Sequence, residues 1–482
     1  MKRNDRMGEA SLCFWMILFL GSALTATAQT TLPSYGVQGV NVIQSDGTIK
    51  SDQTIHWAEG IIRRVSSSET LPSSARILVE GDSLLIVPAF IDGLNHSGLP
   101  DAEDPSSYGT PDRPSDPTYD RAGIQPHRLP ESEFDVSHSS VAAHQSAGFG
   151  AINSSHPGRM MPGQSSLFFT QAEETFSGFE SPLYESALGF VFQFEGAGGR
   201  AYPATDMAIM ARFKQLLYDA EALQQHINYV EGPGAEQMET PQRDAVLESL
   251  FPLLNGEKPL MASVESPEDA ERVLMLADEF DFPVIFATDA DLSPIAPKLV
   301  QSATPVLFRF EKPEAPDWIQ KETEETEPVE NTANESVAAD NADDAATDES
   351  NSESEQEPDE ELSEEEQAFR ARQASAWEAK KGALRTMLDA GLMIGVHGYN
   401  GNDKDFFEAL RFYHEEGEVT SQELLNILSS NTAMILGIER LGTLTEGSVA
   451  NMIVINGQDW LSEDATRLFT VSNGHVITID ND

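Results

Sequence analysis

The chain has 482 residues, one cysteine and a formal net charge of −50, enough length for a large core and two structural units. The charge excludes nucleic acid as a partner, because its phosphates would be repelled. Residues 311–366 hold 23 acidic residues against Lys312 and Lys321, a net of −21; the remaining −29 makes the rest of the chain acidic as well.

The N-terminus reads as a processing signal. Lys2, Arg3 and Arg6 form a basic start, Cys13 to Leu24 an apolar run, and Ala26-Thr27-Ala28 a small-residue cleavage site. The apolar run is short against the roughly 20 residues a spanning helix needs. The expectation is cleavage after Ala28 and an exported protein, periplasmic or secreted, without stable membrane insertion. Cys13 leaves with the signal, so disulfides, thiolate ligands and a cysteine nucleophile are excluded from the mature chain.

From Tyr35 to Val87 the sequence alternates short apolar segments with turn signals such as Ser45-Asp46-Gly47 and Glu59-Gly60, which predicts strands. The stretch Leu84 to Gly98, LLIVPAFIDGLNHSG, reads as a buried strand that delivers Asp92, Asn95 and His96 to a glycine-flanked loop. Gly93 to Pro130, rich in Pro, Asp and Ser, is a long loop. Ser140 to Thr170 predicts helix, strand, Gly-rich loop and strand. Tyr202 to Leu223 predicts a long amphipathic helix, and Lys258 to Phe308 predicts strand, helix, strand, helix, strand. Such alternation implies a parallel sheet. Glu311 to Glu366 cannot bury enough apolar surface to fold and is expected to be disordered, with a helix resuming near Ser363. Gly391 to Asn431 supplies the last strand, a loop and two helices, with Thr420 and Glu423 as a capping box.

Pro88-Ala89-Phe90-Ile91-Asp92-Gly93-Leu94-Asn95-His96 resembles the P-G-F-I-D-x-H-x-H frame of the first barrel strand in the amidohydrolase superfamily. Ser429 to Trp460 is similar to that family's N-P-A-x-x-L-G segment and the strand after it, with Asn451 where Asp is usual. Gly163-Gln164 resembles part of the G-G-Q of imidazolonepropionase-like members. The resemblance implies an α/β fold, a (β/α)8 TIM-like barrel over residues 89–436 carrying the acidic insertion 311–366. A small composite β-sandwich would be built from both chain ends, 29–88 and 437–482, after a signal peptide at 1–28.

The resemblance also implies a divalent, zinc-like metal at the barrel mouth and hydrolysis of a non-peptide C–N bond of the cyclic amide type. Position by position, the first ligand histidine is Leu94 and the second is His96. Ser263 stands near the fifth-strand histidine, and the sixth-strand segment offers only Asp289. His397 lies near the strand-eight aspartate. His96 is therefore the metal-ligand candidate, with His397 and Asp289 as catalytic candidates and Asp92 as a further carboxylate. The expected metal is none, or one weakly bound at a depleted site. The competing class is a non-catalytic pseudoenzyme serving as a binding or assembly protein. The expected partner is a small-molecule substrate or ligand. His138, His144 and His156 lie outside any ligand spacing. The Gly-rich segments lack a P-loop lysine, and no G-x-S-x-G elbow is present.

Overall fold

The computed structural model describes residues 34–44, 46–67, 71–102, 109–171, 181–232, 239–319 and 363–479. The expected signal peptide and most of the acidic segment lie outside them. Two eight-stranded sheets carry the architecture. The first combines β1 (Ser34–Ile43), β2 (Ile49–Ala58), β3 (Ile61–Ser67), β4 (Arg76–Glu80) and β5 (Leu84–Pro88) with three strands from the other end of the chain. The second holds β6 (Phe90–Asn95), β7 (Phe149–Ser154), β8 (Gln164–Phe169), β9 (Leu183–Gln193), β10 (Leu260–Ser263), β11 (Val284–Thr288), β12 (Val306–Phe308) and β13 (Ile394–Val396), hydrogen-bonded in chain order. The strands that complete the first sheet are β14 (Met452–Asn456), β15 (Thr466–Ser472) and β16 (His475–Thr478).

β5 explains its own unbroken apolar sequence. It lies between β1, which it pairs in parallel, and β14, which it pairs antiparallel. Leu84 and Ile86 join one core while Leu85 and Val87 join another, so both faces are covered. Trp57 Nε1 also donates to Gly474 O at 3.0 Å, a second join between the two chain ends. Across Pro88 the chain passes directly into β6. There Phe90 packs outward among Phe149, Phe407 and Trp460, while Ile91 and Leu94 face an inner cluster with Val191, Met261 and Leu307.

The principal helices are α1 (Ser139–Ala147), α2 (Asp206–Glu231), α3 (Pro267–Phe280), α4 (Ala296–Gln301), α5 (Glu364–Asp389), α6 (Asp403–Glu415) and α7 (Ser421–Asn426). Their ends follow local chemistry. Ser266 caps α3 ahead of Pro267, with Glu268 and Asp269 in the first turn, and Ser363 caps α5 ahead of three glutamates. The Thr420–Glu423 capping box opens α7. Among the described residues, no helix is long and apolar enough to cross a membrane.

Two features depart from a plain strand–helix alternation. β8 runs antiparallel to both β7 and β9. The reason is length: only residues 155–163 join β7 to β8, fewer than the dozen or so a parallel crossover needs. The other departure is at 311–319, the start of the acidic segment, which is docked on the helices. Tyr413 Oη donates to Glu311 O at 3.3 Å, Lys312 pairs with Glu408 at 2.6 Å, and Trp318 Nε1 donates to Gln373 at 3.0 Å. At the far side of the second sheet, the amide of Gly398, just past β13, donates to Leu94 O at 3.1 Å. First and last strands therefore meet at their carboxyl ends.

Candidate functional site

Asp92 sits at that meeting point and is fully buried. A buried carboxylate needs compensating donors, and five reach it. Oδ1 accepts from the amides of Leu94 at 3.4 Å and Gly398 at 2.9 Å; Oδ2 accepts from Tyr399 N at 3.1 Å, Asn95 Nδ2 at 2.6 Å and His144 Nε2 at 3.1 Å. His144 Nδ1 lies 2.8 Å from Ser140 O, so both ring nitrogens face acceptors. The network continues outward: Tyr399 Oη donates to Asp403, and Arg467 pairs with Asp403 at 3.3 Å while stacking over Phe407 at 4.2 Å. Burial and the Asp403 carboxylate hold the Tyr399 phenol protonated. This constellation links β6, α1, the β13 loop, α6 and β15.

The two expected histidines line separate cavities, and neither cavity is lined by Asp289. His397 follows β13 and lines a cavity of about 340 Å³ with Arg309, Tyr399 and Asn400. Its Nε2 is 3.4 Å from Thr288 O, and burial pushes its pKa down to about 4. Asp289 follows Thr288 and is ion-paired to Arg309 at 2.9 Å. His397 and Asp289 thus share one neighbourhood, with Arg309 between them in charge.

His96 lines the other cavity, of about 790 Å³, together with His156, Arg128 and Glu195. Its Nδ1 donates to Ser155 O at 2.8 Å, which leaves Nε2 as an acceptor. Although its outer edge is open to the cavity, the surrounding protein lowers its pKa by desolvation. Leu94 is 5% exposed and packs in the inner apolar cluster. Ser263 ends β10.

A zinc-type ion needs three or four nitrogen, oxygen or thiolate ligands at one point. Among the described residues, no three His, Cys, Asp or Glu side chains converge in that way. The donor set does not fit the metal centre that the sequence resemblance implies. Sequence reasoning set His144 and His156 aside as outside any ligand spacing, since the partner of His144 is 52 positions away. It also missed Arg128 and Glu195, which no motif marks.

Neither a protein-family model nor a curated protein matches the chain. Solved structures do match. An amidohydrolase from Thermotoga maritima MSB8 superposes with a TM-score of 0.64 at 15% identity, covering 92% of this chain and all of that one. The fold is that of an amidohydrolase. Two weaker matches are A. niger ochratoxinase, with TM-score 0.41, 11% identity and coverage of 93% and 96%, and a zinc-bound adenosine deaminase from Xanthomonas campestris, with TM-score 0.38, 11% identity and coverage of 93% and 95%.

Proposed function

We propose that this chain is an exported, imidazolonepropionase-like member of the amidohydrolase superfamily whose mouth binds a small molecule without a resident divalent metal. In this reading the second sheet closes as a barrel and the first folds as the composite sandwich. The observation that carries it is the state of β6. Leu94 occupies the first ligand position as a buried core residue, and the Asp92 carboxylate is taken up by five protein donors. Hydrolysis of a non-peptide C–N bond is the competing reading, favoured by the cavity at His397. Against it, a base with a pKa of about 4 is weak at neutral pH, and Asp289 is held by Arg309.

Elemental analysis of purified protein, with turnover of a cyclic-amide panel, tests the proposal. The expected result is substoichiometric metal, no hydrolysis, and a metal content indifferent to His96→Ala. Stoichiometric zinc that His96→Ala removes would overturn it.

A further inference from the structure

The 790 Å³ cavity has walls whose charged groups are not equally engaged. Arg121 and Arg159 both donate to Ala197 O, and Asp120 accepts from Gln125, so these groups build the wall. Arg128 is different. Its Nη2 holds Glu133 at 3.0 Å, while its Nε and Nη1 face no acceptor among the described residues. The backbone that carries it is fixed, since Arg128 O accepts from Gln164 N at 2.9 Å and Arg128 N donates to Gln125 O at 3.0 Å. Glu195, just past β9, has a carboxylate that accepts from no donor among the described residues and is close enough to His96 to act on its charge.

Between these ends lie two imidazoles. His96 presents the lone pair of Nε2, because Nδ1 is committed to Ser155 O. His156 is 1% exposed, and neither of its ring nitrogens makes a hydrogen bond; Nε2 lies 3.1 Å from Glu133 Oε1 in poor alignment. A buried ring whose one polar neighbour is the misaligned Glu133 carboxylate has bonding capacity left over for a ligand. The groups this cavity leaves open are thus donors at Arg128 and a carboxylate acceptor at Glu195, and a ligand with a charge of one sign would answer only one of them.

We propose that this cavity binds a small zwitterion, its carboxylate on Nε and Nη1 of Arg128 and its ammonium between Glu195 and Nε2 of His96. The proposal rests on the reading of the strand-end mouth as a small-molecule site, and it names the ligand class. Guanidinium–carboxylate and carboxylate–ammonium hydrogen bonds are the strong, charge-assisted kind. His156, enclosed beside Arg128, supplies a further donor or acceptor according to its tautomer.

Calorimetric titration of the full chain near neutral pH tests this with 4-aminobutanoate and 6-aminohexanoate, each beside the matched alkanoate and alkylamine. At least one zwitterion is expected to bind about tenfold or more tightly than both of its singly charged partners. Arg128→Gln should erase the advantage over the alkylamine, and Glu195→Gln the advantage over the alkanoate. Both residues are surface-accessible, and an unchanged melting temperature establishes that each variant is folded. The proposal is overturned if neither zwitterion exceeds its analogues, or if folded Arg128→Gln and Glu195→Gln keep the wild-type preference. Finding zinc would overturn the metal-free reading and leave a zwitterion preference standing. Equal binding of all probes would do the reverse.

Discussion

The two sides of the strand-end mouth treat buried polar groups in opposite ways. On the β6–β13 side, every acceptor position of Asp92 is met by protein, and His144 is bonded at both nitrogens. On the β7–β9 side, His156 is as deeply buried but has only the misaligned Glu133 carboxylate for a polar neighbour, and Arg128 has donors that meet no acceptor, among the described residues. A satisfied network rigidifies and specifies a fold; an unsatisfied group invites a ligand. The difference separates the two polar groups of the frame: Asp92 is drawn into structure on one side, while His96 stands on the other, beside the groups that keep bonding capacity.

The strongest way to break this comparison is Asp92→Ala. It strands His144 and four other donors in a buried site, and each buried group left without its partner costs about 1–3 kcal/mol. Denaturant unfolding should show that loss, and a cost below about 1 kcal/mol would remove the seam from the account of stability. Next is Leu94→His, which restores the family frame. It places an imidazole in an apolar cluster, with an expected cost of about 1–3 kcal/mol. Zinc content should not rise, since one histidine added to His96 leaves the ligand set incomplete.

His397→Gln sharpens the comparison through pH. The folded ring resists protonation down to about pH 4, whereas an unfolded histidine takes up its proton near 6.5. Unfolding therefore binds a proton in that window, and stability falls as pH falls from 6.5 to 4. The variant should lose less stability than wild type over this range in paired thermal melts; parallel curves would show that the ring is not desolvated. The smallest effect is expected for His156→Gln. With only a misaligned contact to the partly exposed Glu133 carboxylate to lose, it should cost under about 1 kcal/mol by denaturant unfolding, far less than Asp92→Ala.

Much of the scaffold could be read from local signals. Leu84 to Val87 announces a strand covered on both faces, Ser363 before three glutamates announces α5, and Thr420 with Glu423 announces α7. The nine residues between β7 and β8 also carried the antiparallel turn, had their number been weighed against the reach of a crossover. The candidate site was less legible. Leu94 in place of histidine is visible in sequence, but the five-donor shell around Asp92 is assembled from β6, α1 and the β13 loop, which only tertiary packing brings together. For the same reason Arg128 and Glu195 meet across one cavity with no spacing rule to connect them.

The pairing of β5 with β14 sets an order of events for a growing chain. Val87 finds its partner only when Ile453 has been made, so one edge of β5 stands open through most of synthesis. Such an edge can accept any other strand, and contacts so distant in sequence form late. A ribosome that stops before residue 452 releases a chain with that edge uncovered, a natural handle for chaperones and for proteases. Completion of translation is thus itself the step that seals the first sheet.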